Sequence, residues 1–88
     1  MTVQQRIYAN NAKTTIASPV GPSDTSIIVA DTSKMPTIGT NQYFMMTIDS
    51  GTSIEVIEVH NISGNVLTNC VRGCEGTTAQ SFLIGVRI

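Results

Sequence analysis

The chain has 88 residues, 41% of them hydrophobic and only 12% charged, with a formal net charge of -1 at pH 7. That length gives one small domain with a thin core, and the low Lys and Arg content excludes a nucleic-acid binder, whose affinity for phosphates needs an excess of cations. Hydrophobicity is too high and net charge too low for a disordered chain, and no apolar run reaches the length of a membrane span. The polar start Met1-Thr2-Val3-Gln4-Gln5-Arg6 lacks the apolar stretch of a signal peptide, so a protein used without secretion is expected.

Ile, Val and Thr supply 31 of the 88 residues and Leu only two. Branching at Cβ suits pleated strands better than helices, and turn residues recur between short apolar stretches. The expected fold is all-β: a small antiparallel sandwich or barrel-like meander of about six short strands, formed by residues 13–88 behind an extended N-terminal arm over residues 1–12. In the arm only Val3, Ile7 and Tyr8 offer much to bury, which makes them the candidate contact residues with a neighbour.

Residues 14–17 are expected as a first short strand, closed by Pro19 and Pro22, each of which removes a backbone donor. Residues 26–30 form a second strand whose uniformly apolar sequence suggests cover on both faces or an edge contact. After the polar turn at residues 31–34, the strand from Tyr43 to Ile48 pairs with the returning residues 53–56. A three-residue loop, Asp49-Ser50-Gly51, sets Met46 opposite Ile54 and Phe44 opposite Val56, with Gly51 in the left-handed conformation. The apolar phase slips after Val56, which a bulge near Ile57 or burial on both faces would resolve. Residues 61–65 read as a turn, 66–71 as the next strand in a meander, and 72–80 as a turn-rich stretch. The chain closes with Phe82, Ile84, Val86 and Ile88 alternating along a final strand that ties down the C-terminus.

The residues able to carry chemistry are few. Cys70, Cys74 and His60 are three soft ligands where tetrahedral zinc takes four, and C-x3-C replaces the favoured C-x2-C, so no metal site is expected. With no secretory signal the two cysteines read as free thiols, the alternative being a disulfide if the turn at Arg72-Gly73 brings their α-carbons within bonding range. His60 and Glu58 could share a face, but no nucleophile with a local signature accompanies them, and no catalytic residue is expected. Asp24, Asp31, Asp49, Glu55, Glu58 and Glu75 lack calcium-loop spacing and read as solvated carboxylates. Asn61-Ile62-Ser63 fits the glycosylation pattern only nominally, and Gly73 and Gly76 do not make a phosphate loop. No cofactor is expected.

The strongest local signal is Arg72-Gly73-Cys74-Glu75-Gly76-Thr77-Thr78-Ala79, preceded by residues 67–71 and followed by Phe82 and Gly85. Here the glycines permit backbone angles closed to other residues, Glu75 can accept amide hydrogen bonds or pair with Arg72, and Thr77 and Thr78 can satisfy turn amides. These residues read as a rigid structural turn. The stretch resembles the Arg-Gly-x-Glu-Gly-Thr-Thr-Ala pattern of a module in virion proteins of tailed bacteriophages, and the match extends weakly upstream over most of the chain. Cys70 and Cys74 depart from the module, which usually has an apolar β-branched residue and commonly Gln at these places.

The resemblance implies a non-enzymatic virion protein, assembled in the host bacterial cytoplasm, that joins the major capsid protein or other virion proteins as a homo-oligomer without contacting nucleic acid or membrane. A capsid decoration or cement subunit is its leading form, and a tail-fibre, head-fibre or baseplate adaptor the second. A glycan-binding module is a reading of another class. It would need exposed aromatic platforms, for which only Tyr8, Tyr43, Phe44 and Phe82 are available.

Overall fold

A computed structural model describes residues 5–7 and 13–88 of the chain. The candidate contact residues Val3 and Tyr8 lie outside the described residues. Among the described residues the fold is all-β, with seven short strands in two sheets. They are β1 (Gln5–Arg6), β2 (Ile27–Ile28), β3 (Gln42–Asp49), β4 (Ile54–Val59), β5 (Asn61–Ser63), β6 (Val66–Thr68) and β7 (Val71–Cys74). One sheet has the order β1-β3-β4-β7 and the other β2-β6-β5. The all-β class is as expected, and within it one connection is corrected: β5 and β6 leave the larger sheet as a hairpin, and β7 returns to pair with β4.

The switch between sheets follows from local backbone choices. Residues 61–63, expected as a turn, are a strand, and the turn contracts to Gly64 and Asn65 with Gly64 at φ +59°. Asn69, at φ +51°, breaks the expected strand over residues 66–71 into β6 and β7. Asn tolerates this left-handed conformation better than β-branched residues such as the nearby Thr68 and Val71. Arg72 and Gly73 thus sit within a strand and not in a loop.

The β3–β4 hairpin corrects the expected register. Asp49 pairs with Ile54, Met46 with Ile57 and Phe44 with Val59, so residues 50–53 make the loop. Gly51 is at φ +89°, and its amide donates to the Asp49 carboxylate at 2.8 Å. An odd shift in pairing turns the strand over. The buried face of β4 is Glu55, Ile57 and Val59, whereas Ile54, expected inside, is 51% exposed. An irregularity does fall beside Ile57, in the pairing with β7: the step from Val56 to Glu58 on β4 matches the three-residue step from Val71 to Cys74. The extra residue is on β7, at Arg72–Gly73.

The two sheets share one core, in which Phe44, Met46, Ile48, Ile57 and Val59 from β3 and β4 meet Ile27 and Leu67, joined by Ile16, Val20, Val29, Cys70, Phe82 and Ile88. Residues 26–30 have one clean outer face, because Ile27 and Val29 are buried while Ile28 is exposed. Residues 14–17 form isolated bridges, Thr15 with Arg87 and Ile16 with Val29, in place of a regular strand. The expected final strand is likewise interrupted by a turn at Ile84–Gly85, which exposes Ile84 where alternation would bury it. Ile88 is nevertheless held, exchanging backbone hydrogen bonds with Thr14. At the other end of the β3 edge that Arg87 bridges, β1 lies parallel to β3, with Gln5 and Ile7 donating to the carbonyls of Asn41 and Tyr43. Ile7 packs partly buried against the core.

Candidate functional site

The motif segment closes on a carboxylate that the sequence placed in solvent. Glu55 is fully buried, and the Arg72 side chain is only 7% exposed. Arg72 Nε donates to Glu55 Oε2 at 2.6 Å and Nη2 to Oε1 at 2.8 Å, the two-point fork that a guanidinium makes with a carboxylate. Nη1 donates to the carbonyls of Gly21 and Asp24, and Nη2 also to that of Gln80. All five guanidinium donors are thereby used. Glu55 accepts two further bonds, from the amides of Gly73 and Gln80, both at 2.9 Å.

Burial by itself pushes the Glu55 carboxyl up, but the bonds from Arg72 and the two amides outweigh it and hold the carboxyl below its ordinary value of 4.5. The pair stitches together the loop at residues 21–24, strands β4 and β7, and the segment leading to Phe82. Gln80 extends the lacing, accepting from the Ser53 hydroxyl and donating to the Ile54 carbonyl. Among the described residues no buried side-chain nitrogen or oxygen lacks a hydrogen-bond partner.

The other motif residues divide between lacing and exposure. Thr77 Oγ1 accepts from the Val56 amide at 3.0 Å and donates to the Cys74 carbonyl at 2.6 Å, so its hydroxyl serves a strand amide of β4 as well as the turn. Gly73 is at φ +61°, and a Cβ there would stand 3.1 Å from the Ala79 nitrogen and 3.2 Å from the Thr77 oxygen. Only glycine fits. Gly76 is also left-handed but faces open space. Glu75, at φ +53°, is exposed, as is Thr78, and of the two roles open to Glu75 the pairing with Arg72 falls to Glu55 instead. A signal for Glu55 exists in the sequence: it stands in phase with Ile57 and Val59, the residues that share its buried face.

A second polar group lies on the outward face of the larger sheet. His60 Nε2 is 2.9 Å from Glu58 Oε1, and the imidazole stacks on Tyr43 with centroids 5.2 Å apart. The Cys74 thiol points at Glu58 Oε2 and at the Val71 carbonyl, and burial followed by the Glu58 charge pushes its pKa up. A nucleophilic cysteine needs the opposite shift. Cys70 is buried in the core, and burial pushes its thiol up to about 11. Both cysteines are free thiols. Among the described residues no group of three His, Cys, Asp or Glu side chains could hold a metal ion, and no helix is long and apolar enough to cross a membrane. Of the aromatic residues considered as sugar platforms, Phe44 and Phe82 are buried in the core, Tyr43 is committed to His60, and Tyr8 lies outside the described residues.

Compared with known proteins, the chain matches no family model and no curated sequence.

Proposed function

We propose that this protein is a structural subunit of a tailed-phage virion that works through contact surfaces, in the first place as a capsid decoration subunit seated on the major capsid protein. The observation that carries the reading is the fate of the charged motif residues. Arg72 spends all five donors on Glu55 and on backbone carbonyls, so the motif's cation is consumed in holding four segments together and is not offered to a substrate. The segment that resembles the virion module is thus a lock on the fold. A thin domain locked in this way presents stable faces, and a partner that binds only the folded form stabilises it further. The outward Tyr43, Glu58, His60 and Cys74 group offers a raised thiol and a paired imidazole, which suits a contact face better than nucleophilic chemistry.

The test is the amount of this chain in purified particles relative to the major capsid protein, read by quantitative gel densitometry. Decoration predicts a copy number of the same order as the capsid subunits. A copy number that is a small multiple of the tail symmetry would instead select a fibre or baseplate adaptor, and absence from particles would defeat the structural reading.

A further inference from the structure

Of the five large apolar side chains exposed among the described residues, the three most exposed lie near the β3–β4 loop, whereas Ile28 and Val71 lie elsewhere. Leu83 is 73% exposed, Ile84 64% and Ile54 51%. Leu83 and Ile84 belong to a turn closed by the Val86 amide on the Leu83 carbonyl at 3.3 Å, with Gly85 at φ +92°. Such positions usually carry polar residues, because a turn tip points into water. Beneath the turn is a hollow of about 370 Å³, lined by Asp49, Ser50, Arg87 and the turn itself. Asp49 bridges Arg87 on one side and pairs with Ile54 on the other, so these three side chains stand in a row on one face. The row carries a cation and an anion side by side next to the exposed Leu83 and Ile84, with Ser50 in the same hollow and Lys13 and Thr47 in the adjoining one. Among the described residues Arg87 and Asp49 form no ion pair with each other.

We infer that this face is the contact between two copies of the chain related by a two-fold axis. A copy turned by 180° sets its Arg87 over Asp49 and its Asp49 over Arg87, while Leu83, Ile84 and Ile54 of both copies leave water together. A surface with both charges is self-complementary in this arrangement, which a two-fold contact requires. The inference rests on the contact-based reading for its biological meaning, but the association is measured apart from it.

Sedimentation velocity of the purified full chain tests it. The wild type is expected to sediment as a dimer, and Leu83→Ser with Ile84→Ser to weaken association on the order of a hundredfold while leaving the circular dichroism unchanged. Arg87→Glu alone and Asp49→Lys alone are each expected to be monomeric, and mixing the two variants to restore dimers, since the reversed charges then meet their complements at both contacts. A monomeric wild type, a ring of higher order, a dimer indifferent to the Leu83 and Ile84 changes, or variants that stay apart when mixed would each overturn the inference. If the wild type is monomeric and the same changes remove it from particles, the face takes another virion protein and the two-fold contact is wrong. A dimer that is absent from particles sinks the virion reading and leaves the contact standing.

Discussion

Removing Arg72 should cost this small domain a large part of its stability. Arg72→Leu leaves the fully buried Glu55 carboxylate with only the Gly73 and Gln80 amides, and it strips a donor from the carbonyls of Gly21, Asp24 and Gln80. Breaking a buried pair by deleting one partner costs about 3–5 kcal/mol, because the surviving charge is left desolvated. A domain of this length holds about 4–13 kcal/mol in total. The variant should therefore melt roughly 12–40 °C lower, or fail to fold at the weak end of that range. Arg72→Lys keeps the charge but has three donors for five bonds and loses the planar fork, so an intermediate loss of about 1.5–3 kcal/mol is expected. Urea unfolding followed by circular dichroism measures both. The combination of Arg72→Leu with Glu55→Gln should cost less than the sum of the single changes by more than about 1 kcal/mol, since it does not strand a buried charge. A loss under about 1 kcal/mol for Arg72→Leu, or strict additivity in the double variant, would refute the idea that the pair acts as one lock.

Three further outcomes follow from the same geometry. The Glu55 carboxyl is depressed in the folded state, so its contribution is fully present above the unfolded value near 4.5 and is lost as pH falls through the lower folded value; stability measured from pH 7 down to 2 should decline below about pH 4.5, and Glu55→Gln, though weaker throughout, should flatten that decline. Gly73→Ala should destabilise more than Gly76→Ala, because both force a left-handed Ala at about 1–3 kcal/mol but only the first meets backbone atoms within 3.2 Å; equal midpoints in thermal melts would contradict this. Thiol labelling of the native protein at pH 8, read by mass spectrometry, should modify half-buried Cys74 before core Cys70 and both more slowly than an unfolded control; rapid modification of Cys70 would show that the core is open.

The sequence carried the strand composition and the location of the lock more clearly than its partner. Arg72 and Gly73 stand out because an arginine beside closely spaced glycines is a local feature. Glu55 does not, since a carboxylate between apolar residues has two readings that only long-range pairing separates. The preferred hairpin register put Ile54 and Val56 inside because two apolar residues outweigh one charge in any local count. The protein buries Glu55 because Arg72, 17 residues later, satisfies it together with two amides. That single compensation turns β4 over, and it also explains the apolar residues left on the outside, Ile54 among them. The division into two sheets was hidden for a similar reason: Asn69 looks like an ordinary polar strand residue until its left-handed φ ends β6. Ile84 was lost to the Gly85 turn, a breaker whose effect on a short alternating run depends on the Ile16 carbonyl that receives the Gly85 amide.

A reconstruction of purified particles that traces side chains tests the account most directly. It predicts this chain at junctions between virion subunits, with Arg72 and Glu55 paired inside the domain and the Leu83–Ile84 turn covered by a second copy. Particles that lack the chain, or hold it with no face against a neighbouring subunit, would contradict the account.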